Sequence, residues 1–263
     1  MSLPPLVFQY NKYCNCRDKF RKTGRIDLRR ESFFPPTFSL PLALLLMENL
    51  AAPKDMPLSE GAKSYFHTIF TMKVEDRRTK TYIPLVRLPS NVKEASSVLQ
   101  SVYEVQKDDR SAFGGEIAFK YVVAELVDNI YEHSKFKLAF VMAQRYPRLG
   151  YLELAFLDNG ITIQGNYREH GMKFKPWEAI VEALNGRSTK SQERGWGLMT
   201  SIRIFREGLG GRILIVSGGG ALYLDSSNTF QYKLRRDLHM KGTLISMRVP
   251  YPSRVVDIYK YLE

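Results

Sequence analysis

Glu125, Asn129 and His133 stand four residues apart, and the residues leading to them, Phe119, Val122, Val123, Leu126 and Ile130, keep helical spacing. That spacing predicts one helix with a buried apolar stripe. It stacks a carboxylate, a carboxamide and an imidazole along one edge, with Glu132 beside them. Polar groups on the edge of an otherwise apolar helix cost desolvation energy unless they bind something. A hard divalent cation carrying phosphate oxygens would satisfy the amide oxygen of Asn129. A water held against a phosphorus would satisfy Glu125 as a general base. The plain alternative is a surface helix with a solvated polar face.

Three further motifs follow in order. Leu157-Asp158-Asn159-Gly160-Ile161 places an acid at the end of an apolar run, followed by a flexible glycine. It can present a carboxylate to a buried donor, or simply turn the chain. Arg194-Gly195-Trp196-Gly197-Leu198-Met199 puts two glycines at the start of a helical stretch, where backbone N–H groups can meet phosphate. Arg187, Ser188, Thr189, Lys190 and Arg194 lie before it and could add charge and hydroxyls. Gly242-Thr243 opens the last strand.

Glu-x-x-Asp-Asn-x-x-x-His over 125–133 resembles the N box of the GHKL ATPases, the superfamily of gyrase, the heat-shock chaperone ATPase, the MutL proteins, the histidine kinases and the anti-sigma-factor serine kinases. Asp158-Asn159-Gly160 resembles its G1 box, Gly195-Trp196-Gly197-Leu198 its G2 box, and Gly242-Thr243 its terminal Gly-Thr. The four motifs fall in family order over roughly residues 90 to 250. The resemblance implies an ATP site with Mg²⁺. In it Asn129 ligates the ion, Glu125 orients and deprotonates the attacking group, and Asp158 with Gly160 reads adenine. Lys190, Arg194, Gly195, Gly197 and Leu198 would form the lid over the phosphates, and Thr243 would help hold the adenine. The G1 box is normally Asp-x-Gly-x-Gly; Thr162 replaces the second glycine.

The elements that would position these groups read as α+β. Strands are expected over Lys137 to Tyr146 and Tyr151 to Leu157, joined by a hairpin turn, then over Arg212 to Val216, Ala221 to Leu224 and Thr243 to Val249. Helices are expected over Asn91 to Gln106, from Glu116 through the motif, and over Trp177 to Leu184 and Gly197 to Arg206. Between Ile161 and Gly197 the chain reads as mostly irregular, and from Leu224 to Gly242 as a basic loop. The resemblance makes residues 89–263 a Bergerat-type two-layer α/β sandwich, with helices on one face of a mixed, mostly antiparallel sheet. Residues 1–88 read as a separate small α/β domain with a weak likeness to the STAS fold. Short strands are expected there at Leu6 to Tyr10 and Arg25 to Leu28, a buried helix over Ser39 to Leu50 with Pro41 in its first turn, and a helix capped by Ser59.

Composition narrows the function. The 263 residues are 44% hydrophobic and 25% charged, ordinary for a globular chain. No apolar run reaches membrane-spanning length, and Met1 to Pro5 lacks the charged start and apolar core of a signal peptide, so no membrane partner and a cytoplasmic location are expected. Cys14 and Cys16 are too close for an unstrained disulfide and fit a reducing compartment. The net charge of +12 suits a polyanionic partner, nucleotide phosphates or nucleic acid. No base-reading motif accompanies the basic residues between Lys12 and Arg30. Gly186 to Lys190 does not make a Walker A loop, and Gly208 to Gly211 does not follow a strand as a Rossmann fingerprint would. The expected partners are ATP and a regulatory protein, STAS-like or other, with a homodimer also open. A kinase acting on protein serine or threonine, an ATPase switch and a non-catalytic nucleotide sensor share such a site.

Overall fold

The computed structural model describes residues 3–70, 81–105, 115–187, 196–250 and 255–261. Among these residues seven strands form one open, antiparallel sheet: β1 (Tyr82–Arg87), β2 (Ala139–Tyr146), β3 (Tyr151–Asp158), β4 (Arg212–Gly218), β5 (Gly220–Leu224), β6 (Thr229–Lys233) and β7 (Met240–Pro250). Their order is β1-β2-β3-β7-β4-β5-β6. Side chains alternate between its faces, as strand geometry requires. Leu152, Leu154 and Phe156 of β3 join Ile213 and Ile215 of β4 and Ile245, Met247 and Val249 of β7 on one side. Ala155, Leu157, Leu214, Val216 and Leu244 lie on the other. Both faces are apolar, which explains why the central strands read as nearly continuous hydrophobic runs.

The first face is covered by α4 (Ala95–Val105), α5 (Glu116–His133), α6 (Ile163–Glu169), α7 (Pro176–Leu184) and α8 (Trp196–Arg203). A π-helical turn, Ile204–Gly208, extends α8. Helix α5 follows its apolar spacing: Phe119, Val122, Val123, Leu126, Val127 and Ile130 are all buried.

Helices also cover the second face, where a one-sided layer was expected. These are α1 (Pro5–Thr23), α2 (Pro36–Glu48) and α3 (Glu60–Ile69). The strand expected at Leu6 to Tyr10 is the start of α1, because Leu6, Tyr10, Tyr13, Cys14 and Arg17 form a helical stripe that packs inward. The strand expected at Arg25 to Leu28 is reduced to a single bridge, Asp27 to Asp55. Pro36, not Pro41, takes the first turn of α2 and Pro41 lies inside the helix. Ser59 does cap α3, accepting from the Ala62 amide at 3.2 Å. Side chains of α1–α3 share one apolar cluster with β1, β2, β3, β4, β5 and β7, and β1 itself pairs with β2.

A carboxylate is buried in that second layer. Glu153 of β3 is fully enclosed. Its carboxylate accepts from Arg248 Nη2 at 2.8 Å, Thr37 Oγ1 at 2.9 Å and the Thr37 amide at 3.4 Å. Thr37 lies in the first turn of α2, so the positive end of that helix faces the carboxylate.

Candidate functional site

Helix α5 carries the first group of candidates. Glu125 and Asn129 are half-buried and Asp128 is exposed. Asn129 Nδ2 donates to the Glu125 carbonyl at 2.7 Å. That bond orients the amide and leaves Oδ1 as its ligating atom. Burial raises the pKa of Glu125 from its ordinary value, and the neighbouring charges of Asp128 and Glu132 raise it further. His133 Nε2 sits 3.7 Å from Glu132, on the last turn.

Asp158 ends β3 and is 3% exposed. Burial lifts its pKa to about 7; hydrogen bonds from the Gly160 and Thr243 amides oppose the rise. The Gly160 amide lies 2.9 Å from Oδ1. Asp158 and Thr243 are register partners across β3 and β7. Two glycines make this closeness feasible. A Cβ on Gly160 would stand 1.8 Å from the Ser134 carbonyl oxygen, just past the end of α5. A Cβ on Gly242 would stand 2.0 Å from the Asp158 carbonyl oxygen, and its φ of +74° is one that favours glycine. The next amide, Ile161 N, donates to the Ser134 carbonyl at 2.6 Å. So the end of α5, the Asp158–Gly160 turn and the Gly242-Thr243 step are joined backbone to backbone. Asn129 is five residues before Ser134, roughly 7.5 Å along the helix.

Of the residues around this junction, Ser217 and Glu48 were not singled out by sequence. Ser217, 1% exposed on β4, has its Oγ 2.9 Å from Thr243 Oγ1 and 2.9 Å from the donating Ile163 amide. Asn159 Oδ1 accepts from the Leu138 and Lys137 amides at 2.9 and 3.1 Å, fixing the entry to β2. Its Nδ2 donates to Glu48 Oε1 at 3.0 Å, and Lys241 Nζ reaches the same oxygen at 2.7 Å. Thr162 caps α6: its Oγ1 accepts from the Gly165 amide at 2.9 Å. Its φ of −74° needs no glycine. The capping signal was present as a threonine before Ile163-Gln164-Gly165, but the stretch lacked a long enough apolar period to mark a helix.

Gly197 and Leu198 lie in the first turn of α8. Leu198 packs against the core and α8 packs on α5. Lys190, Arg194 and Gly195 fall outside the described residues, as do Ser188 and Thr189. The structure therefore brings together Asp158, Gly160 and Thr243 at the end of the helix that carries Glu125 and Asn129.

The enclosed carboxylate of Asp158 accepts from backbone amides, and among the described residues no cation pairs with it. Among the described residues no group of three His, Cys, Asp or Glu could hold a metal ion. A divalent ion at Asn129 would then depend on ligands brought by phosphate, as Mg²⁺ sites commonly do. No helix among the described residues is long and apolar enough to cross a membrane. The sequence matches no family model, and no curated protein matches it.

Proposed function

We propose that this chain is a Mg-ATP-binding regulatory protein of the histidine-kinase-like ATPase type, with a Bergerat-type nucleotide site on the α4–α8 face. The observation that carries the reading is the junction at Asp158. A desolvated carboxylate is held by the Gly160 amide, faces Thr243 across the sheet, and is locked against the end of the helix bearing Asn129 and Glu125. An exocyclic amine of adenine is the kind of donor that a buried, hydrogen-bond-poor carboxylate accepts. The phosphates would lie farther up α5, toward Asn129 and Glu125. Asn129 Oδ1 would hold Mg²⁺, whose charge would neutralise that developing on the phosphoryl oxygens. Glu125 would orient and take the proton of the attacking hydroxyl, either water or a protein serine or threonine; such help is worth about 10²–10⁴-fold in rate.

Calorimetry with ATP and Mg²⁺ tests the binding reading. The wild type should bind, Asn129→Ala should lose Mg-dependent binding, and Glu125→Ala should bind but not turn over. Full-strength Mg-ATP binding by Asn129→Ala would overturn the assignment of that residue, and no binding by the wild type would overturn the site. Incubation with γ-labelled ATP then separates the reactions: label on a protein means kinase, released phosphate means ATPase, and neither means a sensor.

A further inference from the structure

The two edges of the sheet are treated differently. At one, β1 contains Pro84, has a register irregularity between Ile83 and Val86, and is buried along Ile83 to Val86. Proline and irregular register are standard protections of a sheet edge. At the other edge, β6 runs Thr229-Phe230-Gln231-Tyr232-Lys233 with all five residues exposed. It has no proline and pairs in unbroken register with β5. Among the described residues no strand pairs with its outer side. Phe230 and Tyr232 are 44% and 36% exposed. Phe230 leans on the buried ring of Tyr223 at 6.3 Å, so both aromatics rise from the α1–α3 face of the sheet.

We propose that β6 pairs antiparallel with β6 of a second copy, about a twofold axis at Gln231, to fuse the two sheets. The strand is self-complementary in that register. Phe230 of each copy lies opposite Tyr232 of the other, Thr229 opposite Lys233, and Gln231 opposite itself. No like charges meet, and two aromatic cross-strand pairs form on one face. The same register carries the β5–β6 turn of one copy alongside Arg235 and Arg236 of the other. That turn holds Asp225, whose Oδ1 accepts from the Ser227 and Asn228 amides at 2.9 and 2.8 Å. A strand of five residues spans about 17 Å, less than the contact of a permanent dimer. Association is therefore weak and concentration-dependent. Aromatic and basic residues also suit single-stranded nucleic acid, but that ligand would leave the open row of backbone donors and acceptors unused. The inference does not depend on nucleotide binding.

Sedimentation velocity of the full chain from about 1 to about 500 µM tests it. The wild type should shift from monomer toward dimer across that range. Gln231→Lys puts two ammonium groups on the axis and should weaken the dimer about tenfold or more, with partial recovery at high salt. Gln231→Cys should form an interchain disulfide on mild oxidation, because directly opposed residues on antiparallel strands lie about 4.5–5.5 Å apart at Cα. Thr229→Cys, four residues out of register with its own copy, should not. The cross-link keeps the test valid if the lysine variant misfolds. A wild type monomeric throughout, equal cross-linking at positions 229 and 231, or a monomer that binds a labelled oligonucleotide through Phe230 and Tyr232 would each overturn the proposal.

Discussion

Gly160 has no room for a side chain because the carbonyl of Ser134 occupies the place a Cβ would take, 1.8 Å from its ideal position. The contact is backbone against backbone, so no rotamer change can relieve it. Either α5 or the end of β3 must move.

Gly160→Ala is therefore expected to lower stability by about 3 kcal/mol. Gly61→Ala is the matched control, since nothing lies within 4 Å of its Cβ and it sits in α3. That change should be neutral or stabilise by a few tenths of a kcal/mol up to ~1 kcal/mol. Urea unfolding of the two variants measures both. Equal midpoints would show that the junction accommodates a side chain at position 160.

Asp158 predicts a pH dependence with a definite sign. Its pKa is raised by burial to about 7, from an ordinary value of 3.8. Below about 4 the acid is protonated in both states and contributes nothing. Between about 4 and 7 the unfolded chain has released the proton and the fold has not, so stability falls as pH rises. Above 7 the loss levels off at roughly 4 kcal/mol. Asp158→Asn should remove this slope, and its stability relative to wild type should grow from pH 4 to pH 7 in denaturant titrations. If the carboxylate also accepts from adenine, wild-type ATP affinity should rise through pH 7 while the variant binds weakly throughout.

Glu153 and Arg248 predict a strong non-additivity. The carboxylate is fully enclosed and the guanidinium side chain is 13% exposed, stacked 4.1 Å from the Tyr151 ring. Removing one partner leaves a charge without its mate. Arg248→Met or Glu153→Gln alone should cost on the order of 3–5 kcal/mol, and the double variant much less than the sum. Unfolding free energies of the three variants close the cycle; additive losses would mean that the pair is not coupled.

How far the chain could be read in advance follows from where each signal came. Helix α5 announced itself because its apolar stripe and its polar edge fall on different faces of one period, and the β2–β3 hairpin because Pro147 and Gly150 punctuate two apolar runs. Strand β6 was lost in a basic loop: all its residues are exposed, and an exposed edge strand has little burial pattern to read. The start of α1, Leu6 to Tyr10, reads as a strand because five residues are too few to show the helical stripe that continues to Tyr13 and Arg17, and Tyr10 and Arg17 are held by docking against residues 237–239. Asp158 and Gly160 could be picked out by type and order. The roles of Ser217, Asn159 and Glu48 could not, since they arise from contacts between residues up to 111 positions apart.

Glu48 makes the last of these contacts consequential. It ends α2 on the second face of the sheet, yet its Oε1 accepts from Asn159, inside the Asp158–Gly160 turn, and from Lys241, next to Gly242-Thr243. One carboxylate thus ties the Asp158–Gly160 turn and the start of β7 to the helical layer formed by residues 3–70. Its side chain is 28% exposed, which limits the direct loss from the ion pair to about 1 kcal/mol. The effect on the site should exceed the effect on the fold. Glu48→Ala is expected to shift the unfolding midpoint slightly, while amide exchange at Asn159, Gly160 and Gly242 quickens about tenfold as the local turn opens more often. Exchange measured residue by residue distinguishes this from general loosening, which would quicken β2 and β7 to the same degree. Should those three amides keep their wild-type rates, α2 does not control the turn.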